Sequence, residues 1–280
     1  MSLTEPWLGL ALVMATFGML LAVFSLIGHL LQPEVLRKGL HISLGLTALS
    51  FPWLFEDVWP VMLLGAASIV GFLGVRIGLP LLRRLAHSLA GITRVSIGEF
   101  CFIAATCIVF AVASDDPVLY SIPMLVLTLA DAAAALVGTA YGRRRYHTWD
   151  DYKTLEGSAA FFAVAFACIF IPLAFFTDAS NAQSAAVAAL VAMATTMLEA
   201  SMSRGFDNLL VPLGALAAIK ATGLTQNRPA ALESGSPIVV AALSLVIALL
   251  VLLLAGLASW LRASPARRAA ASAPPRSGSP

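Results

Sequence analysis

From Pro6 to Leu31 the chain runs without a single Asp, Glu, Lys or Arg. An apolar run of that length admits few folds. About 20 apolar residues in an α-helix cross the hydrocarbon core of a bilayer, and the helix keeps its own backbone groups hydrogen-bonded there. Further runs recur at about 40–55, 58–79, 99–113, 117–140, 157–176, 184–200, 208–220 and 237–261. About nine transmembrane helices are expected, with seven to nine compatible because the second and eighth runs are short. The composition agrees: 11% of residues are charged, against about 25% in soluble domains. The expected fold class is all-α, a polytopic integral membrane protein with one helical transmembrane domain over residues 1–261. No Lys or Arg precedes Arg37, so the first run reads as a retained span rather than a cleaved signal.

Nine spans put alternate loops on opposite sides of the membrane. Fifteen of the 17 Lys and Arg residues then fall on one side, and only Lys220 and Arg228 on the other. The positive-inside rule makes the basic side cytoplasmic, with the N-terminus outside and the C-terminus inside. Glu56, Asp57, Asp115, Asp116 and Asp178 cap the outer loops. Residues 262–280, rich in Ala, Ser, Pro and Arg, read as a disordered basic cytoplasmic tail near anionic lipid headgroups. Cys101, Cys107 and Cys168 lack ligand spacing and read as small packing residues.

The polar residues that need a reason gather on the cytoplasmic side. Arg37, Lys38 and His41 enter the second span, where two cations can face phosphate oxygens or simply anchor the helix. Arg94 and Glu99 flank the start of the fourth, where a carboxylate also gains from the helix dipole. Asp131 lies inside the fifth span, roughly 10 Å deeper than Gly138 along the axis. Acids at such depth usually face a partner or a cavity. Asp131, Ala135, Gly138 and Gly142 share one small-residue face. Helix packing through Gly138 and Gly142 explains those glycines, but not Asp131. Lys153, Thr154, Glu156, Gly157 and Ser158 open the sixth span as an anion site of free N–H groups, hydroxyls and a lysine. No glycines precede Lys153-Thr154 at P-loop spacing, which excludes that motif. Thr148 and Asp151 fit a capping box. Glu199 sits near a helix C-terminus, where an acid is unfavourable, while Asp207 and Asn208 can cap the next helix. Together these hard oxygens and cations suit a Mg²⁺-bound polyphosphate. Phosphoryl transfer needs mainly positioning and charge neutralisation.

Five segments, RKGLHIS from Arg37, SIGE ending at Glu99, DAAAALVGTAYGRR from Asp131, KTLEGS from Lys153 and GFDNLLVP from Gly205, occur in an order that resembles the phytol kinase/dolichol kinase (polyprenol kinase) family. The resemblance implies a catalytic membrane domain that transfers the γ-phosphoryl group of CTP, or another nucleoside triphosphate, to an isoprenoid alcohol with Mg²⁺. It implies catalytic roles for Asp131, Lys153, Glu156 and Asp207, with Asp131, Glu156 and Asp207 as metal ligands and Asp131 as the base. Phosphates and nucleotide fall to Arg37, Lys38, Lys153, Gly138, Gly142, Thr154, Gly157 and Ser158, with His41, Glu99, Glu199 and Asn208 in support. Membrane lipids and the alcohol are the expected partners, and no nucleic acid polymer is. The expected location is a bacterial plasma (inner) membrane, with the site facing the cytoplasm. The central stretch is also similar to CDP-diacylglycerol synthases, but their long acidic, glycine-rich C-terminal signature is replaced here by the short turn Ser203 to Asn208. A cytidylyltransferase and, in another class, a small-solute transporter remain alternatives.

Overall fold

A computed structural model of the chain describes residues 6–28, 33–77, 97–148, 152–202 and 204–225. The expected ninth span at 237–261, the tail at 262–280, Arg94, Asp151 and Ser203 lie outside the described residues. Helices occupy the other eight expected stretches. They are α1 (Pro6–Ile27), α2 (Pro33–Leu49) with the short α3 (Phe51–Leu54), α4 (Trp59–Ile77) and α5 (Ile97–Ala113). Next come α6 (Pro117–Leu125), a π-helical turn (Val126–Ala130) and α7 (Asp131–Tyr141), continuous with one another. The series ends with α8 (Leu155–Phe176), α9 (Asn181–Ser201) and α10 (Asp207–Thr222). Among the described residues, α1, the α6–π–α7 unit, α8 and α9 are each long and apolar enough to cross a bilayer.

Local chemistry sets the ends of these helices. Pro52 in the first turn of α3 cannot donate a backbone N–H, so α2 stops at Leu49 and Ser50 turns the chain, its hydroxyl donating to Thr47 O at 2.7 Å. Asp116 caps α6 by accepting the Leu119 N–H at 2.8 Å. Ser180 and Gln183 form a reciprocal capping box at the start of α9. Trp7 and Trp59 begin α1 and α4, and their rings lie 5.4 Å apart. Those two helix ends therefore sit at one level.

The α6–π–α7 unit is the centre of the bundle. Tyr120, Ile122, Met124, Val126 and Ala130 are wholly buried, and the Tyr120 hydroxyl donates to Ala48 O of α2 at 2.9 Å. Phe110 meets Tyr120 and Phe51 edge to face, a favoured aromatic geometry. α8 packs on both α7 and α9, and α10 packs on α5 and α9. The π turn closes i→i+5 bonds and carries one residue more than an α turn. It follows Pro123 by one turn and sets the rotational phase of Asp131.

The all-α expectation needs one correction. Arg145–His147 (β1) and Tyr152–Thr154 (β2) pair as an antiparallel ribbon, with Tyr146 opposite Lys153. His147 and Tyr152 meet edge to face at 4.9 Å across it. Thr148 therefore follows a strand, and its expected capping partner Asp151 lies outside the described residues. Thr154 caps α8 instead, its hydroxyl accepting the Gly157 N–H at 3.1 Å.

Gly157 marks a close approach of α8 to the backbone of α7. A Cβ there would stand 2.8 Å from Ala134 O, closer than real Cβ contacts, and a tight 3.0 Å from Thr154 Oγ1. Gly157→Ala is expected to cost about 1–3 kcal/mol through overpacking, read as a lower unfolding temperature in detergent. Gly71 in α4 has nothing within 4 Å of such a Cβ, so Gly71→Ala is expected to be neutral or slightly stabilising. Equal shifts for the two variants would disprove the close approach.

Candidate active site

A buried lysine and a half-buried one define the site. Lys38, in α2, donates to Asp131 Oδ2 at 2.5 Å, with the lysine side chain 6% and the aspartate side chain 15% exposed. His41 stands one helical turn further along α2, on the same face. Its Nε2 donates to Leu127 O in the π turn at 3.0 Å and lies 3.5 Å from Asp131 Oδ2. Phe102 of α5 meets its ring edge-on at 4.9 Å. Asp131 is thus reached from α2 by a cation and an imidazole, both aimed by one turn of helix.

The second lysine arrives on the ribbon. Successive residues of a strand point to opposite faces, so Tyr152 is exposed while Lys153 turns inward. Lys153 Nζ donates to Glu199 Oε1 at 2.7 Å and to the Glu199 backbone carbonyl, and lies 3.6 Å from Asp207 Oδ2. Burial opposes the Lys153 charge, but Glu199 and then Asp207 outweigh it and hold its pKa above the ordinary lysine value. It is a permanent cation at physiological pH.

The turn between α9 and α10 brings Asp207 into place. Arg204 and Gly205 both have positive φ, 59° and 90°, and Gly205 packs on the backbone of Gly98 at the start of α5. A side chain on Gly205 would be both strained and blocked. Asn208 Nδ2 donates to Gly98 O at 3.1 Å, tying α10 to α5. Phe206, not Asp207 or Asn208, is the N-cap of α10, which leaves the Asp207 carboxylate for Lys153.

Leu127, Asp131, Phe161, Glu199, Asp207, Asn208 and Val211 line one narrow crevice. Three carboxylates stand there against two ammonium groups. Other predicted residues lie beside the crevice rather than in it. Glu156 accepts the backbone N–H groups of Arg143 at 3.1 Å and Arg144 at 3.2 Å, clamping the Gly142 turn to the start of α8. Ser158 and Tyr146 share a 2.7 Å hydroxyl hydrogen bond. Gly138 lets Thr154 approach, since a Cβ there would lie 3.0 Å from Thr154 Oγ1. Arg37 pairs with Glu34 at 2.6 Å on a partly exposed face, and Glu99 sits in the first turn of α5.

A phytol kinase from Synechocystis sp. is 30% identical over 213 residues, covering 74% of this chain and 88% of that protein. This chain belongs to the phytol/polyprenol kinase family. Comparison with family models and with solved structures yields no match. In this family member the predicted acids Asp131, Glu199 and Asp207 do meet the predicted cations Lys38 and Lys153 across a single crevice. The apolar wall of Leu127, Phe161 and Val211 did not emerge from sequence reasoning. Its one signal is spacing: Leu127 precedes Asp131, and Val211 follows Asp207, by the four residues that put helical side chains on one face.

Lys38→Met alone would leave a buried carboxylate without its ammonium group, at a cost of about 3–5 kcal/mol. Adding Asp131→Asn to that variant is expected to restore much of the loss, as a double-mutant cycle of unfolding in detergent would show. Additive losses would mean that the two side chains are not coupled.

Proposed function

We propose that this chain is an isoprenoid-alcohol kinase that moves the γ-phosphoryl group of a nucleoside triphosphate, with CTP as donor, onto a membrane-dissolved alcohol. Phytol, geranylgeraniol, farnesol and polyprenols or dolichol form the acceptor class. Family membership supports the reaction type. The observation that carries the reading is one crevice where two lysine–carboxylate clusters meet an apolar wall. Cations and acids there suit a polyphosphate, and the wall suits a lipid.

In this proposal Lys38 and Lys153 exchange their carboxylates for phosphate oxygens when nucleotide enters. Arg37 adds positive potential at the rim. Gly138, Gly142, Thr154, Gly157 and Ser158 form the close-packed floor against which the nucleotide lies, and Glu156 fixes the turn above it. His41, through Leu127 O, holds the π turn and with it the direction of Asp131.

The donor chemistry fits Mg²⁺. Among the described residues no three His, Cys, Asp or Glu side chains form a ready-made ligand set. Mg²⁺ in nucleotide sites needs only one or two carboxylates, with phosphate and water supplying the rest. Asp131 and Asp207 would provide them from the crevice walls, as the excess of carboxylates over lysines also favours. When bound, the ion neutralises charge on the transferring phosphates. The proposed location is a bacterial plasma (inner) membrane with the site facing the cytoplasm, supported by the one-sided distribution of Lys and Arg.

Membranes containing the chain, given labelled CTP, Mg²⁺ and geranylgeraniol or phytol, are expected to yield a prenyl monophosphate and CDP. Chelation of divalent cations should stop the reaction. Asp131→Asn and Lys153→Ala should each lower the rate about 10²-fold or more at normal expression. Formation of a CDP-lipid with release of pyrophosphate would replace this reading with a cytidylyltransferase.

A further inference from the structure

Among the described residues, three buried side-chain oxygens have no hydrogen-bond partner, and Glu199 Oε2 is the carboxylate oxygen of the three. Glu199 is 5% exposed and lines the crevice. Its other oxygen is committed to Lys153 at 2.7 Å. A buried carboxylate oxygen left without a donor is expensive, and native structures seldom keep one without a use.

The surroundings define the missing donor. Leu127, Phe161 and Val211 give the crevice an apolar wall, each at most 2% exposed. Asp131 Oδ2 is occupied by Lys38, and the side-chain amide of Asn208 is spent on Gly98 O. An ammonium group is already present in Lys153. A neutral O–H on a molecule that tolerates hydrocarbon, a lipid alcohol, matches both the oxygen and the wall beside it.

We infer that Glu199 is the catalytic residue that receives the acceptor hydroxyl, with its Oε2 as hydrogen-bond acceptor and general base, and that Leu127, Phe161 and Val211 seat the first carbons of the alcohol. This deepens the kinase reading and rests on it. In the step, the hydroxyl proton passes to Glu199 Oε2 while the alcohol oxygen bonds to the γ-phosphorus. The bond from that phosphorus to the β–γ bridging oxygen breaks. The bridging oxygen leaves with the electron pair as part of the nucleoside diphosphate, and Glu199 returns its proton to solvent. The base therefore moves from Asp131 to Glu199, whose Oε2 is buried without a hydrogen-bond partner.

The test uses the full chain in lipid nanodiscs, with wild type, Glu199→Gln and Val211→Leu compared. Glu199→Gln is expected to lower kcat about 10²- to 10⁴-fold, as loss of a general base does. Equilibrium binding of labelled CTP should change by less than about threefold, since Lys153, which takes the phosphate oxygens, is itself unchanged. Val211→Leu narrows the crevice and is expected to raise KM for the alcohol about 10-fold, with KM for CTP unchanged. If that variant does not fold, Val211→Ala should alter KM for the alcohol alone.

Two results would overturn the inference and spare the kinase. Near-normal kcat in Glu199→Gln would mean that Oε2 merely holds a water. A fall in CTP affinity matching the fall in rate would mean that Glu199 serves only to hold Lys153. A wild-type chain that phosphorylates no isoprenoid alcohol would overturn the kinase reading itself, and this inference with it.

Discussion

Everything in this molecule turns on ionised side chains kept inside an apolar bundle. A lone ammonium or carboxylate in such surroundings loses several kcal/mol of hydration, so each must find an opposite charge held by another element. Lys38 on α2 finds Asp131 on α7, and Lys153 on β2 finds Glu199 on α9 and Asp207 on α10. These pairs join helices far apart in sequence. They also assemble the crevice, because charges that must neutralise one another are brought to one place. The stability problem and the chemical site therefore share one solution, and the surplus carboxylate keeps the place attractive to a further cation.

Small residues make that assembly geometrically possible. Gly157 brings the start of α8 against the backbone of α7, and Gly205 brings the α9–α10 turn against the backbone of Gly98. The ribbon between α7 and α8 then delivers Lys153 inward. Extended backbone covers about twice the distance per residue of a helix, so six paired residues carry the lysine to acids on two other helices. Glu156 closes the arrangement by accepting the N–H groups of Arg143 and Arg144.

Helix positions were legible in the sequence because a bilayer demands long apolar runs, and each described stretch carries the expected helix. Asp131 and Glu199 were legible for the opposite reason, as acids in helices with nothing local to excuse them. The ribbon was not. Arg145 to Thr154 is mostly polar and shows no aliphatic alternation, so no strand was expected there. Nor did residue type reveal which lysine meets which acid, since that depends on the rotational phase of five elements. Glu156 illustrates the limit. Its position at a helix start suited a metal ligand, yet its oxygens reach backbone amides. The wall residues Leu127, Phe161 and Val211 were hidden in another way, as apolar side chains in a chain that is 60% hydrophobic.

The π turn carries a consequence for how this chain can vary. Each residue of an α-helix rotates its successors by about 100°. The extra residue within Val126–Ala130 therefore sets the orientation of everything after it, from Asp131 to Gly138 and the clamped turn beyond. Upstream, Tyr120 is fixed by its hydrogen bond to Ala48 O of α2 and its edge contact with Phe110 of α5. The five residues act as a spacer between two faces that were each fixed independently. Their number sets the rotational phase between those faces, while Leu127 lines the crevice and Thr128 packs on Gly45. Segment length, together with side-chain chemistry, therefore fixes where Asp131 points.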